Sequence, residues 1–326
     1  MSSSVYKFLA RERERAKCAG VSSTPLLRGL VAAAFTPFRQ DGSIDAGRIP
    51  GIIEHVLAQG ASGFYVCGST GEGPLLTTAE RQLVAETIVQ TVNGRVPVVI
   101  QVGHNSLADA RVLAAHAQQI GADAISATPP GYFKPDSVDN FIDCLIDITA
   151  GAPKLPFYLY HIPVISGVKF DMLELLRAAE QRLPVMRGVK FSDPNLHEML
   201  GCIEYGGGRY EILFGVDEML LGGLAFGARG AVGSTYNFAA PLYLKIMAAF
   251  DRGDMNEARR LQSLAAEMIR IILGIGGRGG LKAAMALVGA DCGYSRLPTR
   301  TCTPAQRERM REQLAAIGFF EWTKTS

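Results

Sequence analysis

Residues 185–193 read VMRGVKFSD, a short apolar run that ends in one lysine before the sequence turns polar. The run follows Pro184 and has the composition of a strand buried on both faces of a parallel sheet. Lys190 would then lie at the strand's end, partly out of the core and with little water around it. Burial favours the neutral amine of a lysine, and a neutral amine attacks carbonyl carbons to form a Schiff base. The alternative is a lysine that extends from a strand end into solvent.

Strand and helix patterns alternate on both sides of this stretch. Helices are predicted between the strands, and one begins with the capping-box spacing of Thr77 and Glu80. Strands that alternate with helices pair in parallel through right-handed crossovers. Eight such units in roughly 250 residues are typical of a closed (β/α)8 barrel, the TIM barrel. The predicted strands are residues 30–35, 63–67, 97–102, 124–128, 156–161, 185–191, 211–214 and 230–233.

An open, doubly wound sheet is the alternative architecture. Its first turn is usually rich in glycine, whereas the first predicted strand is followed by Thr36, Pro37 and Phe38. We therefore expect residues 28–252 to form a catalytic (β/α)8 barrel in the α/β class.

The two ends of the chain have different patterns. Residues 1–27 combine an alternating charge run with turn-forming residues, which predicts a flexible amino-terminal arm. Residues 253–326 contain three predicted helices, which would form a C-terminal helical extension. Residues 274–280 read GIGGRGG and have the spacing GxGxxG. This segment follows a helix rather than a strand, so it predicts a flexible interhelical loop and not a dinucleotide site.

Composition excludes several classes of function. The chain has 326 residues, of which 48% are hydrophobic and 20% charged, and its formal net charge is +2, so we expect neither a nucleic-acid nor a membrane partner. No apolar run is long enough to span a bilayer, and the start lacks an apolar signal core. Six cysteines lack CxxC spacing and five histidines lack an HExxH motif. These features predict a cytoplasmic protein without a metal or another cofactor.

In a barrel of this kind the site lies at the carboxyl ends of the strands. Glycines around Ser69 and Thr70 would let backbone N–H groups and hydroxyls approach a small carboxylate. Tyr160 on the fifth strand would pass protons, and Lys190 would form an imine with a ketone. The residues that would bind hydroxyls of a polyol are Asp217, Glu218 and Ser234. This combination predicts carbon–carbon bond cleavage or formation on a 2-oxo acid.

Each candidate also has a purely structural interpretation. Ser69 and Thr70 would be turn formers, and Tyr160 would be a core tyrosine with a satisfied hydroxyl. Asp217 and Glu218 would cap the seventh helix. The functional interpretation is favoured because every candidate follows the same end of its strand.

Several motifs resemble one known family. GSTGE at residues 68–72, YHIP at 160–163 and GVK at 188–190 resemble the pyruvate-dependent class I aldolases related to dihydrodipicolinate synthase. Within that family, FGVDE at residues 214–218 and GSTYN at 233–237 are similar to the N-acetylneuraminate lyases. KFSD at residues 190–193 and RLP at 296–298 are similar to the same group.

The resemblance implies a role for each candidate. Lys190 would be the Schiff-base lysine, Tyr160 the proton relay, and Ser69 and Thr70 the ligands of the pyruvate carboxylate. Tyr132 is similar to a family aromatic that is offered across a subunit interface, and the implied assembly is a homotetramer. The implied reaction is cleavage of N-acetylneuraminate to pyruvate and N-acetylmannosamine, without a cofactor. The residues that would hold the polyhydroxylated tail of this substrate are Ser192, Gly215, Asp217, Glu218 and Ser234.

One position separates members of the family. Dihydrodipicolinate synthases carry an arginine two residues after the proline of the tyrosine motif, to bind a second carboxylate, and here that position is Ile165. An apolar side chain offers no bidentate donor, which argues against aspartate semialdehyde as a substrate. Three alternatives remain: an aldolase or dehydratase that acts on another 2-keto-3-deoxy sugar acid, the less favoured dihydrodipicolinate synthase, and a catalytically silent barrel that binds a keto acid.

Overall fold

In the computed structural model, which describes residues 26–323, eight parallel strands close into a barrel. Each strand pairs with its neighbours in the chain, and the first strand pairs with the eighth from Gly29 to Ala32. The predicted (β/α)8 barrel is therefore confirmed, and the open sheet is excluded because no edge strand is left. The strands are β1 Gly29–Ala33, β2 Gly63–Val66, β3 Val98–Gln101, β4 Ala124–Ala127, β5 Phe157–His161, β6 Met186–Phe191, β7 Glu211–Phe214 and β8 Gly230–Gly233.

The helices surround the barrel and continue beyond it. Thr77 and Glu80 form the predicted capping box at the start of α2, the helix Thr78–Val92. Two four-residue helices, α5 (Pro163–Ser166) and α13 (Phe319–Trp322), were not predicted, because one turn is too short to show a period. The helices are α1 Ile49–Ala58, α2 Thr78–Val92, α3 Leu107–Gln119, α4 Val138–Thr149, α5 Pro163–Ser166, α6 Met172–Arg182, α7 Leu196–Glu204, α8 Leu220–Ala225, α9 Tyr236–Asp251, α10 Met255–Gly276, α11 Gly279–Leu287, α12 Pro304–Ala316 and α13 Phe319–Trp322.

Alternation along the strands divides the core into two layers. Tyr158 and Tyr160 of β5 belong to the cluster inside the barrel, whereas Phe157 and Leu159 pack against the helices. Because successive side chains point to opposite faces, Lys190 is on the inner face of β6. The pairing register sets Lys190 directly opposite Tyr160.

One carboxylate closes the amino-terminal end of the barrel. Glu211 accepts hydrogen bonds from the backbone N–H groups of Leu26 and Leu27, from the Tyr158 hydroxyl and from Nε of Arg187. The side chain of Leu27 is buried in the inner layer. Residues 1–25 of the predicted arm lie outside the described residues.

The predicted flexible loop over residues 274–280 is wrong. Helix α10 continues to Gly276 and α11 begins at Gly279, which leaves a two-residue turn. Gly277 has φ +53, a backbone conformation that ends the helix and that glycine adopts readily. A Cβ on Gly279 would collide with the carbonyl oxygen of Arg300. The glycines thus allow two helices and a neighbouring segment to approach closely.

Among residues 26–323, no helix is long and apolar enough to cross a bilayer.

Gly279→Ala tests the close approach of α11 to the backbone of Arg300. The added methyl group has no space, so we expect the free energy of unfolding to fall by about 1–3 kcal/mol, as for an overpacked core. Gly274→Ala is the matched control, because a Cβ there meets nothing within 4 Å and alanine favours a helix. Urea unfolding followed by circular dichroism compares them, and equal stability of the two variants would contradict the packing argument.

Candidate active site

The carboxyl ends of the strands surround a cavity of about 530 Å³. This is the end of the barrel at which enzymes of this architecture carry their sites. Polar residues that line the cavity include Ser69, Thr70, Glu72, Tyr160, Lys190, Ser192, Asp217, Ser234, Arg278 and Lys282.

Lys190 is held between two aromatic rings. Its side-chain nitrogen is 3.9 Å from the ring centroid of Tyr65 and 3.9 Å from that of Tyr160. The two rings meet edge to face, with centroids 5.5 Å apart. Within residues 26–323, no carboxylate lies within ion-pair distance of this nitrogen, and only 4% of the residue is exposed. The two rings thus enclose the side-chain nitrogen without supplying a counter-ion.

The two tyrosines that flank Lys190 differ in their surroundings. Tyr160 lines the cavity, and its hydroxyl is 3.5 Å from Oγ of Ser69. Tyr65 is fully buried, and its hydroxyl donates to Oγ of Ser126 at 2.9 Å. Burial raises the pKa of the Tyr65 hydroxyl well above its ordinary value. Tyr160 is therefore placed to exchange a proton with a ligand, whereas Tyr65 forms a neutral wall behind the lysine.

The turn after β2 has a constrained backbone. Cys67 has φ +58 and Glu72 has φ +55, both in the left-handed region. Each such non-glycine residue costs on the order of 1 kcal/mol and persists only where its surroundings impose it. The hydroxyl of Thr36 donates to the carbonyl oxygen of Gly71 at 2.7 Å. A Cβ on Gly71 would lie 2.8 Å from the carbonyl oxygen of Ala34, the residue that follows β1. This turn presents the hydroxyls of Ser69 and Thr70 to the cavity.

The Thr70 hydroxyl also connects two neighbouring parts of the site. Its Oγ1 is 2.6 Å from Oγ of Ser234, in the loop after β8. The turn after β2 and the loop after β8 are thus joined across β1.

A buried carboxylate lies at another part of the cavity. Asp217 accepts hydrogen bonds from the N–H and the hydroxyl of Thr235, at 2.9 and 2.6 Å. Burial raises the pKa of the Asp217 carboxyl to about 6, and the two hydrogen bonds oppose this effect. A Cβ on Gly233 would collide with this carboxylate, so only glycine leaves room for it.

Ser192 offers an unused hydroxyl at the same wall. Its Oγ is buried and has no hydrogen-bond partner among the described residues. A Cβ on Gly215 would collide with this oxygen, which explains the glycine that directly follows β7. A buried polar atom without a partner is costly, and a ligand hydroxyl would satisfy this one.

The structure brings together most of the residues predicted from the sequence. Those that line one cavity are Ser69, Thr70, Tyr160, Lys190, Ser192, Gly215, Asp217 and Ser234.

Glu218 and Tyr132 do not line this cavity. Glu218 follows Asp217 in a 3-10 turn and is exposed, because neighbouring residues of such a turn point in different directions. Tyr132 is 80% exposed and its ring contacts Phe133, with centroids 5.0 Å apart. The backbone N–H of Tyr132 donates to Oδ1 of Asn105.

Four residues that line or flank the cavity carry no local pattern that predicts a place in the site. Tyr65 reads as an ordinary aromatic in a strand, and Glu72 was considered only as part of a motif. Lys282 and Arg278 come from the C-terminal extension, whose approach to the cavity no local pattern indicates. Lys282 is 2.7 Å from a carboxylate oxygen of Glu72, and burial lowers the pKa of its ammonium group although Glu72 opposes this.

Within residues 26–323, no three His, Cys, Asp or Glu side chains form a group that could hold a metal ion.

The chain is similar to characterised proteins over most of its length. The profile of the Dihydrodipicolinate synthetase family matches residues 26–317. N-acetylneuraminate lyase A of Xenopus laevis is 42% identical over 277 residues, which cover 83% of this chain and 90% of the relative. N-acetylneuraminate lyase of Sus scrofa is 38% identical over 302 residues, which cover 91% and 95%.

Solved structures give the same result. The N-acetylneuraminate lyase of Proteus mirabilis has a TM-score of 0.87 and 40% identity, over 90% of this chain and 99% of that one. The sialic acid aldolase of Aliivibrio salmonicida has a TM-score of 0.88 and 36% identity, over 92% and 99%.

The raised pKa of Asp217 predicts a pH effect on stability. The folded chain binds this proton more tightly than the unfolded chain, so this carboxyl makes stability fall as pH rises through about 6. Asp217→Asn removes the titration. Between pH 5 and pH 8 we therefore expect the unfolding free energy of the wild type to fall by about 1 kcal/mol relative to that of the variant.

Urea unfolding of both proteins at the two pH values measures this difference. A gap between them that does not change with pH would show that Asp217 does not titrate in this range.

Proposed function

The chain belongs to the dihydrodipicolinate synthetase family, and from this membership we propose that it is a class I aldolase that cleaves N-acetylneuraminate to pyruvate and N-acetylmannosamine. The observation that carries the proposal is the position of Lys190, which is buried between Tyr65 and Tyr160 at a cavity and has no carboxylate partner among the described residues. The relatives named N-acetylneuraminate lyase support the choice of substrate.

The reaction begins with attack of the Lys190 amine on C2 of the open-chain sugar acid. Loss of water gives an imine, which withdraws electrons from the neighbouring carbons. Tyr160 then removes the proton of the C4 hydroxyl, the C3–C4 bond breaks, and its electron pair forms an enamine with the imine. Protonation at C3 and hydrolysis release pyruvate and restore the amine. The 3.5 Å separation between the hydroxyls of Tyr160 and Ser69 supports a proton relay at this position.

The two parts of the cavity have complementary roles in this proposal. Ser69 and Thr70 donate to the carboxylate of the keto acid, beside Lys190. Ser192, Asp217 and Ser234 bind hydroxyls of the sugar tail. The unpartnered hydroxyl of Ser192 and the buried carboxylate of Asp217 support this assignment, because both need polar ligands.

The position of Ile165 disfavours a substrate with a second carboxylate at that wall. Ile165 lines the cavity and offers no hydrogen-bond donor from its side chain. Dihydrodipicolinate synthesis from aspartate semialdehyde is therefore not the activity that we propose.

The same proposal includes a homotetramer in the cytoplasm. The exposed side chains of Tyr132, Phe133 and Val164 are large and mostly hydrophobic. They lie on the segments that follow β4 and β5, as expected of a surface that another subunit covers. The described cysteines, such as Cys67 and Cys292, are free thiols, which supports a reducing compartment.

Trapping with pyruvate and borohydride tests the imine. We expect the reduced adduct on Lys190, because this amine is buried beside the predicted carboxylate ligands, and none on Lys190→Met. Lys245→Met is the matched control: it removes an exposed lysine of α9 and should be labelled as the wild type is. Mass spectrometry of the digested protein locates the adduct. A wild-type peptide around Lys190 that stays unmodified would favour the silent barrel.

A panel of keto-sugar acids tests the substrate. We expect the highest kcat/KM for pyruvate release from N-acetylneuraminate, with 2-keto-3-deoxygluconate cleaved more slowly because its shorter tail leaves Ser192 and Asp217 without ligands. Pyruvate release is measured with a coupled lactate dehydrogenase assay. Faster cleavage of 2-keto-3-deoxygluconate would retain the aldolase mechanism and reject the substrate.

A further inference from the structure

The C-terminal extension contacts the active site through a buried lysine. Lys282 of α11 is 4% exposed, and its ammonium group lies 2.7 Å from a carboxylate oxygen of Glu72. The same group donates to the carbonyl oxygen of Tyr294 at 2.7 Å and lies 4.2 Å from the ring centroid of Phe38. Both Lys282 and Glu72 line the cavity that contains Lys190.

A second contact from the extension holds Glu72, which lies in the turn after β2. The other carboxylate oxygen of Glu72 accepts a hydrogen bond from the backbone N–H of Arg296 at 2.9 Å. The guanidinium group of Arg296 pairs with Glu80 and donates to the carbonyl oxygen of Leu75 at 3.0 Å. Both oxygens of Glu72 are thus bound by residues of the extension.

The backbone of Glu72 indicates what these contacts do. Glu72 has φ +55 and follows the Ser69–Thr70–Gly71 segment directly, and its N–H donates to the carbonyl oxygen of Ser69. A left-handed conformation at a residue with a Cβ must be imposed by its surroundings. The bonds from Lys282 and Arg296 fix the side chain of Glu72, and through it the end of the turn.

A buried ion pair needs a reason other than stability. Removing two charges from water is costly, and apolar side chains of the same volume often stabilise a protein as well or better. Here the pair lies in the wall of the cavity and joins a helix of the extension to the turn that carries Ser69 and Thr70.

We propose that Lys282 and Glu72 are positioning residues, whose ion pair holds the hydroxyls of Ser69 and Thr70 in place to receive the carboxylate of the keto acid. This inference rests on the proposed function, because it takes these hydroxyls as carboxylate ligands. Lys190 lies on β6 and Tyr160 on β5, and the pair contacts neither strand, so both residues stay in position without it. Loss of the pair therefore weakens the binding of pyruvate directly, and slows the chemistry only through the contact of Ser69 with Tyr160.

Lys282→Met and Glu72→Gln test the proposal. Met fills the volume of the lysine without its charge, and Gln retains the shape of Glu72 while removing the charge. In each variant we expect the pyruvate concentration for half-maximal borohydride trapping, and the KM for N-acetylneuraminate, to rise at least tenfold. We expect trapping at saturating pyruvate to remain complete and kcat to fall less than KM rises. The double variant should be no worse than the more affected single variant, since both act through one bond.

Leu314→Ala is the control for stability. This variant creates a cavity under α12, because Leu314 is fully buried there, and Leu314 is not among the residues that line the active-site cavity. We expect a lower melting temperature with an unchanged pyruvate requirement. A comparable rise in this variant would mean that general destabilisation explains the effect, and would overturn the positioning role. The positioning role would also be overturned if a folded Lys282→Met or Glu72→Gln protein had a pyruvate requirement within twofold of that of the wild type.

Hydrogen exchange on the wild-type chain tests the inference if the variants do not fold. Saturating pyruvate should slow exchange in residues 68–73 and also in α11, because the ion pair joins them. Protection of the turn alone would overturn the inference. A wild-type chain that traps no pyruvate would overturn the proposed function itself, which separates the two failures.

Discussion

The active site depends on the register between β5 and β6, which places Tyr160 directly opposite Lys190. Both side chains point into the barrel, because alternate residues of a strand share a face. A slip of one residue would turn Lys190 into the layer between strands and helices. Closure of the barrel through β1 and β8 leaves no free edge along which such a slip is easy. The fold thus fixes the distance between the proposed nucleophile and the proposed base.

The surroundings of Lys190 determine which chemistry its amine can perform. A carboxylate in contact would hold the ammonium form and compete with a substrate for the nitrogen. The rings of Tyr65 and Tyr160 hold the side chain without forming a bond that an incoming ketone must break. The buried charge of Asp217 belongs instead to the part of the cavity assigned to the sugar tail, where a carboxylate has hydroxyls to bind.

The barrel and the residues at its strand ends could be predicted from the sequence, because each depends on a local pattern. Lys190 ends an apolar run, and Asp217 follows a strand by three residues. The remaining features depend on contacts between distant segments. Lys282 looks like any helix lysine until α11 is packed against Glu72, and GIGGRGG resembles a loop because the collision that its glycines avoid involves Arg300. Asp217 lines the cavity and Glu218 is exposed because their side chains point in different directions from one short turn. The spacing of residues in the sequence does not predict these directions.

The carboxylate of Glu211 closes the barrel at the end opposite the cavity, where it binds the backbone of Leu26 and Leu27. Leu26 therefore lies on the face of the barrel opposite the proposed active site. In TIM barrels that face serves stability, whereas the opposite face serves catalysis. A domain fused at this point, by evolution or in the laboratory, has a place of attachment that leaves substrate entry free.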